Sequence, residues 1–70
     1  MATLTALKSQ HEAQLTKLRA ELAEVESKLP LAAVDDPAEY DRLLGQRSRL
    51  QADIDRQTLT LTGIDKKAEA

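Results

Sequence analysis

Seventy residues carry ten Lys and Arg against twelve Asp and Glu, a net charge of −2, with one histidine and no cysteine, tryptophan or phenylalanine. This composition leaves no disulfide scaffold and no His- or Cys-built metal centre, and charges of both signs interspersed along the chain argue against a nucleic-acid track. A single core in a chain this short supplies at most about 3–5 kcal/mol, so association with another molecule is the stabilising route left open.

Leu4, Leu7, His11, Leu15, Leu18, Leu22, Val25 and Leu29 follow one another at steps of three or four residues. That is the spacing of one helix face, and it predicts a helix over 3–29. From Leu15 onward the stripe is a regular heptad seam. Between Leu4 and Leu15 it is an eleven-residue step, which locally unwinds a left-handed supercoil. Glu24 and Lys28 stand i, i+4 apart and support the end of this helix. Pro30 then acts as a stop and biases Leu29 away from helical dihedrals, so residues 30–36 are read as the connection. The run Leu31, Ala32, Ala33, Val34 is apolar for a loop, which leads to the expectation that Leu31 and Val34 fold back over the hairpin end.

The second helix, 37–63, has the clearest start in the chain. Asp36 can accept from free backbone N–H groups, Pro37 suits the first helical position, and Glu39 favours the positive end of the helix dipole. Tyr40, Leu43, Arg47, Leu50, Ile54, Gln57, Leu61, Ile64 and Ala68 alternate steps of three and four, a strict heptad that Leu44 widens. Gly63 is read as a helix stop, with 64–70 as a frayed tail. Two helices with so short a connection must lie antiparallel. The expected architecture is therefore all-α: a two-helix antiparallel coiled-coil hairpin forming a single domain, 1–70. Folding about the middle of the loop sets Leu22 near Leu44, Leu15 near Leu50 and Leu4 near Leu61.

Three polar residues interrupt the seam: His11, Arg47 and Gln57. Such residues cost stability but select register and partner, and a long stem such as that of Arg47 can snorkel to water. His11, expected opposite Ile54 and Asp55, reads as a register residue rather than a metal ligand. Asp35 and Asp36 are explained by a cap and a solvated neighbour, without acid–base chemistry. With no phosphate-binding glycine loop and no nucleophile–base pair, the chain is not expected to be an enzyme, and nothing calls for a cofactor. Arg42, Arg47, Arg49 and Arg56 are interleaved with Asp41, Asp53 and Asp55, the pattern of an ion-paired surface. No apolar run approaches the roughly 20 residues of a spanning helix. Met1 to Leu4 shows no basic region followed by an apolar stretch, so no signal peptide is expected and the cytoplasm is the default compartment.

A hairpin leaves both edges of its seam open, and those edges are the expected docking surface. Leu4, Leu7, Tyr40, Leu43, Leu44, Leu59, Leu61 and Ile64 are the candidate partner-binding residues, with Tyr40 as the sole aromatic. Gly45, inside a helix, is a further candidate for close approach by a partner helix.

Met1, Thr3, Leu4, Thr5 and Leu7, followed by Asp36, Pro37 and Tyr40 at the start of a second leucine-rich helix, resemble the small co-chaperones of type III secretion needle subunits. The resemblance implies a cytoplasmic helical hairpin that pairs with a larger tetratricopeptide-like chaperone and keeps the needle subunit unpolymerised before export. The more apolar segment 31–34 and the scarcity of aromatics depart from that pattern. A secreted needle-type subunit and a self-associating four-helix bundle that binds nucleic acid are the alternative readings, and a homodimer in isolation is compatible with each.

Overall fold

The computed structural model describes residues 3–69. Met1 and Ala70, which belong to the resemblance and to the expected tail, lie outside them. Two helices, α1 (Leu4–Asp35) and α2 (Pro37–Glu69), pack side by side as an antiparallel hairpin of 52 × 15 × 15 Å, with no strand among the described residues.

Thr3 opens α1. Its extended backbone lets the hydroxyl accept from the Ala6 N–H at 3.1 Å, while its carbonyl accepts from Leu7 at 3.0 Å. The helix then runs to Asp35, straight through Pro30. The expected stop at Pro30 and the expected loop over 30–36 are therefore not what forms. Proline withholds an N–H from the Glu26 carbonyl and crowds it, yet both residues are exposed, so water can serve that oxygen. Continuing the helix brings Leu29 to a half-buried position and Ala32 to a buried one. That burial outweighs the local bias against helical dihedrals before proline.

The connection is a single residue. Asp36 is extended (φ −150°, ψ 90°), as a residue preceding proline prefers. It serves both helices at once. Its N–H donates to the Ala32 carbonyl at 2.9 Å, its own carbonyl accepts from Tyr40 at 2.9 Å, and its Oδ1 accepts from the Glu39 N–H at 3.2 Å. Pro37, with no N–H to satisfy, takes the first position of α2.

At the other end α2 does not stop at Gly63 but stays helical to Glu69. No glycine has a positive φ, so Gly63 forms no left-handed cap. A glycine followed by an apolar residue signals a helix end only when it takes a left-handed conformation, and here Ile64, half-buried against α1, continues the stripe and the helix instead.

The core is small. Leu15, Ala32, Leu43 and Ile54 are buried, Leu43 most deeply at 2% exposed. Leu18, Leu22, Val25, Leu29, Leu50, Leu61 and Ile64 are half-buried beside them. Nothing lies within 4 Å of where a Cβ would stand on Gly45 or Gly63, so within the hairpin Gly45 serves no close approach.

Pro30→Ala is expected to raise stability by about 1–3 kcal/mol, because it restores a helical hydrogen bond. Gly45→Ala should add about 0.5–1 kcal/mol by limiting the unfolded chain. Urea melts followed by circular dichroism read both. A neutral or destabilising Pro30→Ala would mean that residues 30–35 are not helix.

Candidate interaction surface

The seam places one pair of the sequence-predicted polar residues together. His11 Nδ1 lies 2.6 Å from Gln57 Oε1, and Gln57 Nε2 donates to Gln14 Oε1 at 2.9 Å. An amide oxygen only accepts, so the network assigns the proton to Nδ1. These three side chains form a polar layer across an otherwise leucine-rich seam. His11 and Gln57 are half-buried and Gln14 is exposed. Arg47, the third interruption, is exposed and reaches out from the seam to Glu26, 3.8 Å away. Its head stays in water.

Cross-helix pairs give the register. Lys8 Nζ meets Asp65 Oδ1 at 3.1 Å, and Glu26 meets Arg47. Each pair reaches further along α2 than a fold about the middle of 30–36 allows, and His11 faces Gln57 rather than Ile54 and Asp55. The register shifts because the turn sits at Asp36. Val25 accordingly shares a groove with Leu43 and Leu50, and Leu18 with Asp53 and Gln57.

Surface charges pair locally. Arg42 Nε donates to Glu39 Oε2 at 2.8 Å, and its Nη2 donates to Oε1, a bidentate pair at the start of α2. The hydrogen bond from Arg42 holds the Glu39 carboxyl below its ordinary range, and the same bond raises Arg42. Lys8 is raised by its hydrogen bond to Asp65. Lys28 pairs with Glu24 at 3.3 Å, as the sequence spacing predicts. Such exposed pairs contribute little stability individually. They also occupy part of the basic surface that a phosphate backbone would need.

The expected partner-binding residues divide into three groups. Leu43 is spent inside the hairpin and is closed to a partner in this conformation. Tyr40, Leu44, Leu61 and Ile64 are half-buried along the seam edges. Leu4, Leu7 and Leu59 are exposed, Leu59 at 71%. Sequence reasoning missed two more. Leu31 and Val34, expected to fold back over the end, stand out at 71% and 80% exposed. Once 30–35 is helical, turning Ala32 inward turns its neighbours Leu31 and Val34 away from the partner helix. Reading that segment as helix would have revealed them. Leu31 borders an open groove at the hairpin tip with Lys28, Ala32, Asp35, Glu39 and Leu43.

The chain exposes 5338 Å² in all, whereas a compact 7.7 kDa monomer exposes about 4300 Å². The arrangement offers apolar contact area along its length. Among the described residues no cluster of three His, Cys, Asp or Glu side chains is placed to hold a metal ion, and no helix is long and apolar enough to cross a membrane. No protein-family model, no curated protein and no solved structure matches the chain.

Gln57→Ala removes both cross-helix bonds and leaves the His11 N–H half-buried without its acceptor. A loss of about 1 kcal/mol is expected. A double-mutant cycle with His11→Ala should show a coupling of about 0.5–1 kcal/mol, read by urea denaturation, and strict additivity would remove the layer's role.

Proposed function

We propose that this chain is a non-catalytic protein-binding hairpin, and specifically a cytoplasmic co-chaperone of a type III secretion system. In this reading it pairs with a larger tetratricopeptide-like chaperone, and the two keep the needle subunit soluble before export. The observation that carries the binding role is the imbalance of the packing. Among the described residues only four side chains are buried, while Leu4, Leu7, Leu31, Val34 and Leu59 are left exposed. A partner that covers such residues stabilises the hairpin by mass action. The choice of partner class rests on the resemblance carried by Met1, Thr3, Leu4, Thr5, Leu7, Asp36, Pro37 and Tyr40, and the hairpin architecture supports it.

Co-expression with such a chaperone and its needle subunit is the test. The expected product is a soluble equimolar complex that survives gel filtration. Leu4→Glu with Leu7→Glu should weaken capture tenfold or more, on the order of 1.4 kcal/mol, while the isolated variant keeps its helical signal. Failure of the hairpin to co-purify with any such chaperone overturns the reading. Spontaneous filaments of the chain alone, seen by electron microscopy, would favour the needle-type subunit instead.

A further inference from the structure

The two ends of the hairpin are not built alike. Leu15, Ala32, Leu43 and Ile54, the four residues buried among those described, all lie between the hinge and the His11–Gln57 layer. Beyond that layer no described residue is buried. Leu4 and Leu7 are 38% and 37% exposed, Leu61 and Ile64 are only half-buried, and the Lys8–Asp65 pair is solvated.

The helix itself is weak there. Thr58, Thr60, Thr62 and Gly63 crowd one stretch of α2, and all four have low helix propensity. The three threonine hydroxyls bond back to the carbonyls of Ile54, Arg56 and Thr58 at 2.9, 2.8 and 3.1 Å. Back-bonding of this kind loosens a helix slightly. Poor propensity and thin packing therefore coincide on the same side of one polar layer.

We infer that the hairpin is a jaw. The segments 4–10 and 58–69 open together about the His11–Gln57 layer, while residues 11–57 stay closed. The polar layer marks the boundary because it ends the continuous apolar seam, so the packing of Leu15 and Ile54 does not extend past it. Opening uncovers Leu4, Leu7, Leu61 and Ile64 without breaking the hinge at Asp36. This goes beyond the binding role proposed above and does not depend on which partner is captured.

Amide hydrogen exchange on the isolated full chain, resolved by residue, tests it. Helical amides within 62–67 should exchange with protection at least about tenfold lower than those of 43–54, with a step near Gln57 rather than a gradual slope. His11→Leu with Gln57→Leu, which extends the apolar seam, should erase that step and raise protection in 62–67. Thr60→Ala with Gly63→Ala should raise protection in the same amides and leave 43–54 in place. Uniform protection along α2 overturns the inference. So does a smooth decline toward the chain end that the double leucine variant leaves unchanged.

Discussion

Asp36 and Pro37 together impose the constraint from which the rest of the hairpin follows. Proline disfavours helical dihedrals in the residue before it, and Asp36, extended there with no packing to gain from continuing the helix, ends one helix and begins the next with its N–H, its carbonyl and its carboxylate all engaged. A one-residue connection leaves no slack, so the phase of α2 against α1 is set at the hinge. The pairs Glu26–Arg47, His11–Gln57 and Lys8–Asp65 are its consequences at increasing distance from the turn.

The same geometry explains why the molecule reads as a binding element. Two helices touch along one seam only, and a rod 52 Å long and 15 Å wide has little interior. Its radius of gyration is 16.0 Å, against about 11 Å for a compact chain of this length. Leucine is abundant in the sequence, yet only two leucines, Leu15 and Leu43, are buried. The remaining apolar surface is what a partner helix can cover, and the polar layer confines the tighter packing to the hinge side.

Much of this architecture was legible in the chain. The heptad spacing predicts both helices, and the shortness of their connection predicts the antiparallel arrangement. The Asp36, Pro37 and Glu39 combination predicts the start of α2, and the heptad spacing marks His11, Arg47 and Gln57 as polar seam residues, but it does not reveal that His11 and Gln57 pair or that Gln14 joins them. The misreadings share one cause. Pro30 and Gly63 are local signals, and local preferences of about 1–3 kcal/mol per residue yield when tertiary packing runs the other way. Leu29 and Ala32 supply that packing at Pro30, whereas Gly63 costs only about 1 kcal/mol in a helix and the half-buried Ile64 beside it is enough to offset that. From the Pro30 error followed the displaced register and the hidden exposure of Leu31 and Val34. The residues behind the family resemblance also have architectural duties here: Thr3 caps α1, and Asp36 and Pro37 form the hinge.

The register set by Asp36 is the claim on which the other assignments rest. Nuclear Overhauser contacts of the single histidine ring test it most directly, because His11 has no counterpart elsewhere in the chain. Contacts are expected from the His11 ring to the Gln57 side chain, which its Nδ1 approaches to 2.6 Å. Ring contacts to Ile54 and Asp55 with none to Gln57 would contradict it and return the turn to the middle of residues 30–36.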